Sequence, residues 1–144
     1  MVDIKDYKHV VSYYETDKMG ITHHSNYIRW MEEARVDFMK QNGWPYERFE
    51  KEGIVSPVIG LEASYIDTTT FPDEVSIRVS VKAFKSVKLT LHYEMFKDDK
   101  KVFEGDTRHC FLHTDGKPVR FKKEYPGFYD RIMELFGENT DQDA

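Results

Sequence analysis

One long amphipathic segment set among strand-like sequence constrains this chain more than any other feature. From Asn26 onward, Tyr27, Trp30, Met31, Ala34, Phe38 and Met39 recur at steps of three and four. That period places them on one face of an α-helix. Ser25 or Asn26 can cap its start, and Gly43 with Pro45 ends it near Asn42. The predicted helix has about four and a half turns at 3.6 residues each. No comparable helix is expected before Arg120.

The remainder reads mostly as strands. Residues 5–14 are rich in Tyr and Val and form a predicted strand. Ile54–Ile66 reads as one long or bent strand with Pro57 near its start. Val75–Phe84 alternates, with Val75, Ile77, Val79, Val81 and Ala83 on one side, and Lys88–Lys97 alternates again. Asp98–Lys101 is a turn, Val102–His113 a long strand, and Asp115-Gly116 a turn before a strand at Lys117–Phe121. Residues 44–53 leave room for one short helical turn, and Tyr125–Phe136 reads as a C-terminal helix opened by Pro126. One helix against one antiparallel sheet is an α+β architecture. A curved sheet wrapped around the helix would cover its apolar stripe. It would leave two open edges that a second copy of the chain could cover.

At 144 residues the chain is expected to form one domain over residues 1–136, with a polar tail at 137–144. The formal net charge of −5 disfavours general nucleic-acid binding. It is unevenly spread: residues 1–74 hold 8 basic and 14 acidic side chains, and residues 75–144 hold 13 and 12. Arg78, Lys82, Lys85 and Lys88 fall in a stretch without a single acid, which suits a small polyanion. The lone Cys110 allows neither an internal disulfide nor a cysteine-rich zinc site. No apolar run reaches the ~20 residues that span a bilayer, and the N-terminus lacks the apolar region of a signal peptide. A cytoplasmic protein without membrane association is expected.

Chemistry is expected in YYETDKMGITHHSNY, residues 13–27, between a strand end and the helix start. The first N–H groups of a helix lack intrahelical partners and lie at its positive end. They can stabilise a carbonyl oxygen that becomes negative during acyl transfer. Asp17 lies just upstream, and a carboxylate there can attack or activate water. On spacing alone, the same Thr-Asp-x-x-Gly string also reads as a turn in which Asp17 bonds its own backbone. His23 and His24 are adjacent and lack a second ligand cluster, so a zinc site is not expected. The histidines at 9, 92, 109 and 113 read as strand-face residues.

The string YYETDKMGITHHSNYIRWMEEAR resembles the signature of the hotdog-fold acyl-CoA thioesterases. It is closest to the 4-hydroxybenzoyl-CoA thioesterase type and its short-chain acyl-CoA relatives associated with the bacterial Tol–Pal system. Tyr14, Asp17, Gly20, His24, Asn26, Tyr27, Glu32, Ala34 and Arg35 carry the resemblance, and FLHTDGKPVRF at 111–121 extends it. It implies a sheet wrapped around the long helix and hydrolysis of an acyl-CoA to free acid and coenzyme A. It also implies a homo-oligomer, dimer or tetramer, whose site lies between subunits. Asp17 takes the position of the catalytic carboxylate, and the main-chain N–H of His24 the position that polarises the thioester carbonyl. By the same resemblance, Gly20 permits the tight loop, Asn26 and Tyr27 fix the loop–helix junction, and Tyr14 walls the pocket. No metal or bound cofactor is implied, because coenzyme A is part of the substrate. His23, Lys18 and Met19 depart from the family's usual residues beside the acyl group, so substrate preference stays open. Arg78, Lys82, Lys85 and Lys88 are the cations expected to meet the coenzyme A phosphates, with a solvated strand face as the alternative.

A second thioesterase arrangement on the same fold places a Glu on the helix; Glu32 or Glu33 could fill it. The alternative has Glu32 paired with Arg35 or the sheet and Glu33 in solvent. Acyl-carrier-protein thioesters present the same reacting bond. A non-catalytic acyl-binding or scaffold protein is the reading from another class.

Overall fold

A computed structural model of the chain describes residues 4–85 and 87–143. Its main sheet has five antiparallel strands in the order β1-β4-β5-β6-β3. These are β1 (Tyr7–Val10), β3 (Val58–Tyr65), β4 (Glu74–Lys85), β5 (Lys88–Lys97) and β6 (Lys100–Cys110). A two-stranded ribbon joins β2 (Ile54–Val55) to β7 (Leu112–His113). The long helix α1 (Ser25–Gln41) lies on the inner face, and α2 (Tyr46–Glu52), α3 (Phe121–Glu124) and α4 (Pro126–Asp143) complete the chain.

The 3.6-residue stripe of α1 is the buried one: Tyr27, Trp30, Met31, Ala34, Phe38 and Met39 all lie in the core. They share that core with Ile77, Leu91, Tyr93, Met95 and Phe103 from the alternating faces of β4, β5 and β6. Tyr27 stacks on Phe103 with ring centroids 5.2 Å apart. At the other end of the sheet, Phe84 on β4 meets Phe121, Phe128 and Tyr129, so α3 and α4 cover what α1 leaves open.

Six expectations need correction. Val102–His113 is not one strand: β6 ends at Cys110, and Leu112–His113 pairs with Ile54–Val55 in the ribbon. The alternation of β4 shifts between Val81 and Ala83, so Phe84 is buried and Ala83 exposed. The strand expected at 5–14 ends at Val10, and Tyr13–Glu15 forms one 3-10 turn. Ile54–Ile66 is two strands in different sheets, because Pro57 has no N–H to carry a ladder through the corner. Lys117–Phe121 is not a strand: Pro118 makes one bridge to Leu112, and Phe121 begins a helical turn. The last helix runs past Phe136 to Asp143, through most of the segment expected as a tail.

Candidate active site

The segment between β1 and α1 folds as a small hairpin. Thr16 bridges Thr22, and the Asp17 N–H donates to the Ile21 carbonyl at 2.9 Å. Gly20 turns the tip with φ +79°, a left-handed conformation that costs a Cβ-bearing residue strain. The Thr22 and Thr70 side chains pin this hairpin to the loop before β4, through the Thr69 and Gly20 carbonyls.

Asp17 is exposed at the hairpin's start. Its Oδ1 accepts the Met19 N–H at 2.8 Å, so the expected backbone turn is present. Turn and chemistry are compatible: one oxygen orients the carboxylate, and Oδ2 has no hydrogen-bond partner among the described residues.

The helix start is built differently from the expected cap. His24 is the capping residue, and neither Ser25 nor Asn26 accepts a helix N–H through its side chain. The Ser25 N–H meets His23 Nδ1 at 3.3 Å, the Asn26 N–H donates to the His23 carbonyl, and the Tyr27 N–H to the His24 carbonyl. That leaves the His24 N–H without a partner among the described residues, at the positive end of α1. Asn26 is buried and donates through Nδ2 to the carbonyls of Glu15 (2.9 Å) and His23 (3.2 Å). Tyr27 is also buried, its hydroxyl 2.9 Å from Thr69 Oγ1. Burial raises the Tyr27 phenol's pKa, against the lowering effect of its threonine hydrogen bonds. Tyr27 thus fixes the junction from beneath and contributes no wall to the cleft.

Tyr13, Tyr14, Asp17, His23, Asn26 and Arg29 line one open cleft of about 650 Å³. Arg29 was not expected from the sequence. Its position three residues after Asn26, one helical turn on, is the signal that could have found it. Glu15 was also missed. It is buried, with Oε1 accepting from the Ser12 N–H (2.8 Å) and meeting His9 Nε2 (2.9 Å). Oε2 accepts from Trp30 Nε1 (2.8 Å). Burial alone would raise its pKa, but the hydrogen bonds from Ser12, His9 and Trp30 outweigh that and hold it below the usual value.

The four expected phosphate-binding cations do not act together. Arg78 lies 3.6 Å from Asp6, and Lys82 Nζ lies 2.6 Å from the buried Asp106. Lys85 and Lys88 pair across the β4–β5 hairpin, at the end of twelve-residue β4 remote from Glu74. At ~3.3 Å per residue that is roughly 36 Å along the strand. None of the four lines the Asp17 cleft. Alternation puts only Arg78 and Lys82 together on the polar side of β4, and both are already matched to acids, while Lys85 and Lys88 lie at the far end of the strand. Glu33 meets His9 Nδ1 at 3.2 Å, whereas it was expected in solvent, and no Glu32–Arg35 ion pair forms among the described residues.

A second hollow of about 560 Å³ lies along α1 and α2, with Met39, Trp44, Phe49 and Ile54 in its walls. It is more apolar than the Asp17 cleft, but it offers no loop carboxylate beside an open helix start.

Known proteins agree with the fold. The family model described as Thioesterase-like superfamily matches residues 11–132. A protein of Aquifex aeolicus is 33% identical over 118 residues, covering 82% of this chain and 91% of the relative. A 1,4-dihydroxy-2-naphthoyl-CoA hydrolase of Prochlorococcus marinus is 26% identical over 139 residues, covering 92% and 91%. The crystal structure of the DHNA-CoA thioesterase of Staphylococcus aureus superposes with a TM-score of 0.88 at 28% identity, covering 96% and 94%. With its antiparallel sheet wrapped around one central helix, the chain belongs to the thioesterase-like superfamily of hotdog-fold thioester hydrolases.

Proposed function

We propose that the protein hydrolyses a short-chain or aromatic acyl-CoA at the cleft between Asp17 and the start of α1. The observations that carry this reading are the unpartnered His24 N–H at the start of α1 and, in the hairpin that leads into it, the Asp17 carboxylate with one free oxygen; Asp17, His23 and Ser25 line the cleft, and His24 does not. The thioester oxygen would accept the His24 N–H, which stabilises the charge it gains as the carbonyl carbon becomes tetrahedral. Asp17 Oδ2 then has two routes. It attacks the carbonyl carbon, expels the coenzyme A thiolate and leaves a mixed anhydride that water hydrolyses. Or it takes a proton from a water that attacks directly. Single turnover in oxygen-18 water separates them: label enters Asp17 only by the anhydride route.

Aromatic acyl groups fit the cleft's surroundings, where Tyr13 and Tyr14 are 77% and 84% exposed and Tyr13 meets Phe71 edge-on. Several relatives act on aromatic acyl-CoAs by name, including the 4-hydroxybenzoyl-CoA thioesterase of a Pseudomonas strain. A homo-oligomer is part of the reading. β3 is an edge strand whose Val58, Ile59, Leu61 and Tyr65 are 53%, 49%, 37% and 47% exposed. Pairing with a second copy would remove both the edge and the apolar surface. The β4–β5 turn that carries Lys85 and Lys88 borders, through Val87, a hollow of about 620 Å³ lined by Arg120, Lys122 and Lys123. Far from their own chain's Asp17, they suit the phosphates of a coenzyme A held at another subunit's site. Among the described residues no helix is long and apolar enough to cross a membrane, and we place the protein in the cytoplasm.

The test is thiol release from benzoyl-, 4-hydroxybenzoyl- and butyryl-CoA, followed with a thiol-reactive dye. Turnover of at least one supports the reading. Acyl-CoA binding by calorimetry with no thiol release from any of them contradicts it.

A further inference from the structure

Glu15 links every part of the proposed site, although it lines none of the cleft. Its carboxylate is 6% exposed and receives the Ser12 N–H from the end of the β1 segment, His9 from β1 itself and Trp30 from the buried face of α1. Its own carbonyl oxygen receives the His23 N–H at 2.9 Å and Asn26 Nδ2 at 2.9 Å. Two residues after Glu15 comes Asp17, and one residue after His23 comes the open N–H of His24. The side chain therefore fixes where this segment sits on α1, while the main chain fixes where α1 begins.

We propose that Glu15 is the positioning residue of the site, setting the distance between the Asp17 carboxylate and the His24 N–H. The inference rests on the reading of those two groups as the reacting pair. It requires a carboxylate specifically. Both oxygens of Glu15 face main-chain or indole N–H donors, Ser12 on one and Trp30 on the other. An amide of the same shape would place its NH₂ against one of them, whichever way it turned, and one buried donor would lose its acceptor. The loop then relaxes away from α1 at the point that orders both reacting groups. Misplacement by about 1 Å at such a point can cost roughly a hundredfold in rate.

Glu15→Gln in the full chain tests this, with two readouts. The first is amide hydrogen exchange. The His23 N–H is expected to exchange at least about tenfold faster, while amides in the centre of β5 and β6 keep their protection. The second is the kinetic split: kcat falls at least about tenfold, and KM stays within about threefold. Unchanged protection of the His23 amide overturns the proposal whatever the rate does, and so does a loss confined to thermal stability with kcat intact. Glu15→Asp keeps the charge but is one methylene too short to span Ser12 and Trp30. It serves as the second variant if Glu15→Gln does not fold, with the same direction expected in both readouts. Asp17→Asn measured in parallel keeps the two ideas apart. If that variant retains turnover, the reacting pair is misassigned, while the His23 exchange still reads Glu15.

Discussion

The main-chain N–H of His23 donates to the carbonyl oxygen of Glu15 at 2.9 Å, closing the Asp17 hairpin onto the start of α1. That bond spans eight residues and holds together a segment with both a loop carboxylate and an open helix N–H. Residues that support it should matter beyond their own hydrogen bonds.

Asn26 is the first of these. Its Nδ2 reaches both the Glu15 and the His23 carbonyls from a buried position. Asn26→Ala leaves two acceptors with fewer partners and opens space beneath the junction. A loss of about 1–3 kcal/mol is expected by urea unfolding, together with a fall in kcat. Asn26→Asp is no rescue, because it turns a donor into an acceptor facing two carbonyl oxygens.

Gly20 tests the hairpin tip. An added Cβ would meet no heavy atom within 4 Å, so the penalty comes from φ +79° alone. Gly20→Ala is expected to cost about 1–2 kcal/mol with an unchanged m-value. Gly20→Asn should cost less, since Asn tolerates the left-handed region better.

Much of this was legible in the residues. The α1 stripe appears in the 3.6 period, the β5 face and the β4 face as far as Val81 in alternation, and the turn at Asp17 in Thr-Asp-x-x-Gly; the register shift after Val81, which buries Phe84 and exposes Ala83, does not. Three other things were not legible. Whether an acid such as Glu15 is buried depends on which donors the fold brings to it, here His9 and Trp30 from different elements. Strand interruption at Pro57 depends on whether both neighbours need its missing N–H, which is a property of the sheet. The basic stretch Arg78–Lys88 looked continuous because sequence proximity hides distance along a twelve-residue strand and does not reveal Asp106 waiting opposite Lys82.

His109 makes stability depend on pH. It is 1% exposed, its Nε2 lies 2.8 Å from Thr107 Oγ1, and Nδ1 has no partner among the described residues. Burial, helped by the charge of Arg35, pushes its pKa down to about 4. The folded imidazole therefore stays neutral while the unfolded one takes up a proton near pH 6.5. Stability should be flat above that pH and fall towards pH 4, by at most about 3 kcal/mol. His109→Gln should flatten that slope. Glu15 and Asp106 have lowered folded pKa values, so their contributions are present above about pH 4 and lost below it. Urea midpoints from pH 7.5 to 3.5 read both effects.

The cations divide by role. Alanine at both Lys85 and Lys88 is expected to raise KM for an acyl-CoA several-fold and leave kcat within about twofold. Lys82→Ala should leave KM unchanged and lower stability by about 1 kcal/mol or less, since its exposed ammonium is screened by solvent. Equal KM effects from the two changes would put the phosphates elsewhere.

The most direct measurement is thioester hydrolysis by Asp17→Asn. The side chain is exposed and its Oδ1 bond to Met19 survives in the amide, so the circular dichroism spectrum and melting temperature should match the parent. With no carboxylate to attack the carbonyl or accept a proton from water, kcat should fall by about 10²–10⁴-fold. A folded variant that releases coenzyme A within a few-fold of the parent rate would contradict Asp17 as the reacting group.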